Sequence, residues 1–208
     1  VELAHEAGVP KDVLQVVNGD KEAVDAIIHD ARVQAVSFVG STPIAEYIYR
    51  TGTSNDKRVQ ALGGAKNHMI VMPDADVSHV RDALIGSAFG SAGERCMAVS
   101  VAVCVGKETA DSVRDAVSEA AQKLNVGPYT DGDADFGPLS SEIHMNKVVS
   151  YIDKGVAEGA DLVVDGRNLN LQGYEKGYFV GPTVFDRVTS DMTIYKEEIF
   201  GPVIALLL

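Results

Sequence analysis

Gly90-Ser91-Ala92-Gly93-Glu94-Arg95-Cys96 brings a thiol to the mouth of a glycine-rich loop. A thiolate nucleophile needs a lowered pKa, which a neighbouring cation or oriented backbone N–H groups supply. Arg95 is such a cation, and the small residues before it let backbone N–H groups approach a reacting carbon. A free cysteine is also a common small core residue. From spacing alone Cys96 satisfies both readings equally, whereas Cys104, inside the apolar run 99–105, reads as packing.

Two other stretches could meet a ligand. Glu197-Glu198-Ile199-Phe200-Gly201-Pro202 sets two carboxylates beside an aromatic ring and a turn. A carboxylate can accept from ribose hydroxyls, and a ring can pack on a flat heterocycle. An acidic loop entering a strand explains the same residues without a ligand. Gly40-Ser41-Thr42-Pro43 lies where a strand would feed a helix, whose first N–H groups and positive dipole end suit a phosphate. It is not a G-x-G-x-x-G motif, Ala45 stands where another glycine would be wanted, and ordinary capping accounts for it. His5, His29, His68, His79 and His144 show no ligand spacing, so surface or satisfied core roles are expected and no metal. No histidine adjoins Cys96 in sequence, a weak argument against a papain-like dyad.

Positioning these residues requires alternating strands and helices. A helix is expected from Val1 into Ala7-Gly8. The β-rich segment 13–17 reads as a strand closing at Asn18-Gly19, and Asp20 then caps a helix through His29. Residues 35–39 read as a buried strand, followed by a helix from the Gly-Ser-Thr-Pro turn to about Arg50 and a third strand at 57–62. That spacing implies crossovers and a parallel sheet. Gly63-Gly64 breaks the pattern, giving domains 1–62 and 63–208. In the second, 68–72, 99–105 and 162–164 read as strands and 77–89 as a helix. Ala110, Val113, Ala116, Val117, Ala120 and Leu124 form one helical face, and Met145, Val148, Val149, Ile152 and Val156 another. Residues 166–181 read as a polar loop. The apolar run 203–208 reads as a strand lacking sheet neighbours, and both termini read as cut, as in a fragment.

The 208 residues are 46% apolar and 23% charged, within the range of globular domains. No apolar run reaches the length of a membrane span and no signal peptide is visible. The net charge of −12 comes without clustered Lys and Arg, so nucleic acid is not an expected partner. Two cysteines match neither a disulfide framework nor a zinc site, and the chain reads as intracellular.

Taken in order, Phe38-Val39-Gly40-Ser41-Thr42, Leu62-Gly63-Gly64-Ala65-Lys66, Gly93-Glu94-Arg95-Cys96 and Glu197-Glu198-Ile199-Phe200-Gly201-Pro202 resemble the aldehyde dehydrogenase superfamily over essentially the whole chain. The resemblance implies an α/β fold, with residues 1–62 the later part of a Rossmann-type dinucleotide-binding domain and 63–208 most of a catalytic domain. It makes Cys96 the nucleophile and puts Gly40 and Ser41 near the NAD pyrophosphate. Glu198 would accept from the nicotinamide ribose, with Phe200 beside it. The family's oxyanion asparagine and its adenosine-ribose Lys/Glu pair would lie before Val1, and further cofactor and oligomer contacts after Leu208. The backbone N–H of Cys96 could still supply one oxyanion donor.

The family's general-base glutamate precedes a Gly-Gly-Lys-like turn. That place falls here on Leu62, or on Ala61 after a one-residue slide, and neither can take a proton. Hydrolysis of a thioester needs an activated water, whereas a thiol such as CoA depends less on a base. Gly64-Ala65-Lys66-Asn67-His68 and Gly93-Glu94-Arg95-Cys96-Met97-Ala98 resemble the CoA-acylating methylmalonate-semialdehyde dehydrogenase branch in particular, which serves valine catabolism. There the substrate carries a carboxylate that Arg95 could pair with, unless Arg95 is a surface cation that lowers the thiol pKa. The resemblance implies NAD as cofactor, CoA as acyl acceptor, a homo-oligomeric parent, and a bacterial cytoplasm or mitochondrial matrix. The rival expectations are a hydrolytic aldehyde dehydrogenase with a displaced base, or a non-catalytic nucleotide-binding or structural piece. CoA-dependence of turnover separates the first, and calorimetry with NAD the second.

Overall fold

In the computed structural model, which describes residues 1–208, the chain divides after Gly64 into two units, Val1–Gly64 and Ala65–Leu208. The first holds α1 (Glu2–Glu6), α2 (Lys21–His29), β1 (Ala35–Val39), α3 (Thr42–Ser54) and β2 (Arg58–Leu62). Asp20 starts α2 by accepting from the Glu22 N–H at 3.2 Å, the capping its sequence predicted. β1 and β2 pair in parallel from Ala35↔Arg58 to Val39↔Leu62, with α3 as the crossover. α3 packs closely on β2, since a side-chain carbon on Gly52 would stand 2.6 Å from Val59 Cγ2. Ile28, Ala45 and Ile48 form the buried core of this unit. At its end, the Gly64 N–H donates to Thr42 Oγ1 at 3.0 Å. The glycine pair is thereby tied to the first turn of α3, and the division falls two residues beyond the expected one.

Two sequence expectations fail here. Residues 13–17 form no strand, and Val13, Val16 and Val17 are exposed. β propensity cannot make a strand without a partner, and only β1 and β2 pair in this unit. β1 is also not buried, but alternates exposed and half-buried residues.

The second unit is built on a five-stranded sheet in the order β3-β4-β7-β6-β5. Its strands are β3 (Asn67–Val71), β4 (Val99–Cys104), β5 (Asp161–Val164), β6 (Thr183–Asp186) and β7 (Val203–Leu207). All neighbours are parallel except the β5–β6 pair. The helices are α4 (Val77–Ala88), α5 (Lys107–Ala121), α6 (Glu142–Ala157) and the short α7 (Thr193–Lys196). Asp76 caps α4 and Ser141 caps α6 through their side-chain oxygens. Val184 and Phe185 point to opposite sides of β6 and are both fully buried, so both faces of the central sheet are covered.

The run at 203–208 does not lack neighbours. β7 pairs with β4 on one side and β6 on the other, and Val203 to Leu206 are buried. The buried face of α6 is also rotated from the expected one. Tyr151 and Gly155 join Val148 and Ile152 inside, while Val156 is 43% exposed. A glycine carries that contact, because a side-chain carbon at Gly155 would stand 2.9 Å from the Phe185 ring. Residues 166–181 contain neither helix nor strand, as expected.

Lys57 is the buried cation of the first unit. Its Nζ donates to the carbonyls of Asp30 and Val33 at 2.7 and 2.6 Å, pinning the chain that leaves α2 against the entry to β2. Lys57→Met leaves both carbonyls without that donor. It should cost about 2 kcal/mol, read as a lower urea midpoint for the first unit in the 208-residue chain.

Candidate active site

Within the second unit, three segments reach one pocket because three neighbouring strands begin there. Ala65 and Asn67 open β3, Cys96 lies just before β4, and Glu198, Phe200 and Gly201 lie just before β7. β3, β4 and β7 are adjacent and parallel, so their leading segments emerge on one edge of the sheet. The pocket therefore sits at the amino ends of these strands, opposite to the carboxyl-end crevice usual in open parallel sheets.

The thiol loop is strained. After α4 the chain makes a tight turn at Gly90–Gly93 in which Ser91, Ala92 and Gly93 have φ of 53°, 54° and 71°. Left-handed conformation costs an L-residue about 1–2 kcal/mol, and such strain persists only where the surroundings enforce it. The enforcing contact is Gly93 against the backbone of Gly201. A side-chain carbon on Gly93 would lie 2.2 Å from the Gly201 carbonyl oxygen. On its other side Gly201 meets Val148 of α6, where a side-chain carbon would stand 2.6 Å from Cγ2.

Beyond the turn, Cys96 is exposed, whereas Cys104 is buried in β4. Burial pushes the Cys104 thiol up to about 11, so it stays protonated and inert at neutral pH. The carbonyl of Cys96 is held by Asn67, whose Nδ2 donates to it at 2.9 Å and to the Ala98 carbonyl at 3.0 Å. The Cys96 N–H has no backbone partner, which leaves it free to donate.

Arg95 also lines the pocket, but its Nη2 donates to the carbonyls of Gly86 and Ser87, at 3.1 Å for Ser87. One end of the guanidinium thus finishes the last turn of α4. On the facing segment, Phe200 has a φ of 61°, a third left-handed non-glycine site at this pocket. Glu198 is half-buried on the pocket wall. Lys66 is the nearby cation, yet its Nζ donates to the Glu197 carbonyl at 2.8 Å rather than to a carboxylate oxygen. Burial lowers the Lys66 ammonium to about 8 against the opposing pull of Glu198 and Glu197. The Glu197 carboxylate accepts from Tyr151 Oη at 2.5 Å.

The structure thus brings Cys96, Arg95, Glu198 and Phe200 to one pocket. Gly40 and Ser41 lie in the first unit, at the start of α3. Ser41 occupies the capping position there without a side-chain cap bond, and Pro43 stands in the first turn. Sequence reasoning gave no role to Asn67, although the Gly-Ala-Lys-Asn-His motif contained it, nor to the Gly93–Gly201 contact, which two separated glycines cannot announce. Among the histidines, His68 stacks edge-on with Tyr195 and His144 is bonded to the Phe200 carbonyl. His5 departs from the expectation, with Nε2 buried and unpartnered.

The two thiols should separate by reactivity. With iodoacetamide at pH 8, peptide mapping of the folded chain should find Cys96 alkylated and Cys104 unmodified until denaturant is added. Modification of both at similar rates would contradict the burial just described.

Comparison with known proteins places this arrangement. A match to the aldehyde dehydrogenase family covers residues 1–208. The chain is 58% identical over 205 residues to the malonate-semialdehyde dehydrogenase of Pseudomonas aeruginosa, covering 99% of the chain and 41% of that protein. Among solved structures, a Sinorhizobium meliloti protein described as a methylmalonate-semialdehyde dehydrogenase, in complex with NAD, superposes with a TM-score of 0.96 at 57% identity. The methylmalonate-semialdehyde dehydrogenase of Oceanimonas doudoroffii superposes with a TM-score of 0.95 at 58% identity. Each alignment covers 99% of this chain and 42% of the structure it matches. The chain therefore spans well under half the length of these relatives, and it belongs to the aldehyde dehydrogenase family.

Proposed function

We propose that these residues supply the thiol and part of the cofactor site of an NAD-dependent, CoA-acylating malonate- or methylmalonate-semialdehyde dehydrogenase, in a polypeptide of the relatives' length. The observation that carries the reading is the exposed Cys96 on a strained, locked loop, sharing its pocket with Glu198, Phe200 and Arg95. NAD, when bound, accepts the hydride removed from the aldehyde carbon. The donor set suits it. Glu198 keeps its carboxylate oxygens clear of Lys66 and can accept from ribose hydroxyls, and Phe200 adjoins it. The start of α3, with Gly40 and Ser41 and no side-chain cap, offers N–H groups suited to a pyrophosphate.

The chain's own residues do the covalent work. The Cys96 thiolate adds to the aldehyde carbon of the semialdehyde, giving a thiohemiacetal whose oxyanion the free Cys96 N–H can bind. The Arg95 carbonyl, in the same peptide plane as that N–H, accepts from the Ala98 N–H at 3.0 Å, which fixes the plane and with it the direction of the N–H. Once the hydride has left, Cys96 carries an acyl thioester. CoA attacks its carbonyl, the Cys96–acyl bond breaks, and the thiolate is regenerated. The substrate's carboxylate departs as carbon dioxide and a proton from solvent takes its place on the α-carbon, giving acetyl- or propionyl-CoA. The ends of the Arg95 guanidinium not held by α4 can receive that carboxylate before it is lost. The reading of thiol over water rests on the family resemblance, which puts Ala61 or Leu62 where a base would stand. The parent is read as a homo-oligomer acting on small molecules, in a bacterial cytoplasm or mitochondrial matrix.

Glu198 itself favours a second reading, a hydrolytic enzyme whose base has moved, because it is a carboxylate in the same pocket as the thiol. Three measurements on the full-length polypeptide test these readings, the first probing the thiol that both share and the other two separating them. Cys96→Ala should lower NADH formation by more than about 10³-fold, and retained turnover removes the thiol from the mechanism. Steady NADH formation by the wild type should require CoA, and equal rates without it favour hydrolysis. Glu198→Leu should raise KM for NAD about 10- to 100-fold by deleting a charged acceptor, with acyl transfer to CoA intact. Loss of acyl transfer instead would mark Glu198 as the displaced base.

A further inference from the structure

The mechanism above makes no use of His144, yet this side chain touches both halves of the pocket. It lies in the first turn of α6, where its backbone N–H donates to the capping Ser141 Oγ at 3.2 Å. Its Nε2 is 2.6 Å from the Phe200 carbonyl. A carbonyl only accepts, so Nε2 carries the proton and the tautomer is fixed. The same Nε2 is 3.3 Å from Glu94 Oε1, on the loop that leads to Cys96. Glu94 Oε1 also accepts from the Ser140 N–H at 3.2 Å and from Ser140 Oγ at 3.0 Å, which anchors it to the start of α6. The imidazole meets the Phe200 ring edge-on, with centroids 6.0 Å apart.

Phe200 is the residue that needs such a hold. Its φ of 61° is unfavourable for a bulky side chain, and it persists only if the neighbourhood enforces it. The Gly93–Gly201 contact restrains the residue after it, but not the direction of its carbonyl. The His144 bond sets that direction, and with it the path of the chain two residues back at Glu198.

We propose that His144 is a positioning residue for the cofactor side of this pocket, fixing the Glu198–Phe200 segment in its left-handed bend while Glu94 ties the same imidazole to the thiol loop. The proposal rests on the reading of Glu198 as an acceptor for NAD. His144 touches no reacting atom, so its effect is read in cofactor affinity, measured without substrate.

The test uses the full-length polypeptide. His144→Phe keeps a flat ring beside Phe200 but removes the donor, and His144→Gln restores an N–H at nearly the same reach. Calorimetry without substrate should give a Kd for NAD about 10-fold higher for H144F, recovered to within about threefold by H144Q. If H144F does not accumulate, His144→Ala with and without added imidazole gives the same comparison. Wild-type affinity in the donor-less variant overturns the proposal, as does an H144Q protein that binds as weakly as H144F. Failure of the underlying reading is seen elsewhere, in a wild type that binds no NAD or a C96A variant that still forms NADH.

Discussion

The pocket depends on one place where two stretches of backbone touch with no side chain between them. Gly93 and Gly201 lie so close that a single added carbon on Gly93 would overlap the Gly201 carbonyl. This contact fixes the distance between the loop that carries the thiol and the loop that carries Glu198. The left-handed residues Ser91, Ala92 and Phe200 lie directly beside it on the two loops. Strained residues are stable when they are over-determined, and here each lies between a helix, α4 or α7, and a glycine of this contact. The sheet order makes this possible, because β4 and β7 are neighbours and their leading loops have nowhere else to go.

Around that joint the polar groups have separate tasks. Asn67 spends both amide hydrogens on carbonyls flanking the thiol, and Arg95 spends part of its fork on the end of α4. Lys66 holds the Glu197 carbonyl while lending positive charge to Glu198. None of these bonds goes to the Glu198 oxygens or to the Cys96 N–H. The groups that would meet a ligand are left available, and those around them are satisfied by one another. That division is what distinguishes a prepared site from a cluster of polar residues.

Most of the fold was legible from local signals, because Asp20, Gly40–Pro43 and the apolar runs at 35–39 and 99–105 act over a few residues. The failures share a cause. Residues 13–17 have strand propensity but no partner, the face of α6 turns on Gly155, and β7 was taken for an unpaired strand although β4 and β6 flank it. Each depends on a contact far away in sequence, which neither periodicity nor composition encodes. The site was legible in the same measure. Cys96, Arg95, Glu198 and Phe200 stood out as residue types in distinctive contexts, and the structure gathers all four at one pocket. Asn67 and His144 did not stand out, since an asparagine at a strand start and a histidine on a helix are ordinary until their partners are known.

The position of β7 has a consequence for how this unit acquires its shape. The strand that completes the middle of the sheet is formed from Val203–Leu207, yet it must slot between β4, at Val99–Cys104, and β6. Joining β4 to β7 closes a chain segment on the order of 100 residues long, an entropic cost met before the pairing is rewarded. Until that insertion, the edges of β4 and β6 that face β7 keep their backbone N–H and C=O groups unpaired by it. During synthesis β4 and β6 are both made before the strand that lies between them, so they can be joined only after Val203–Leu207 has emerged.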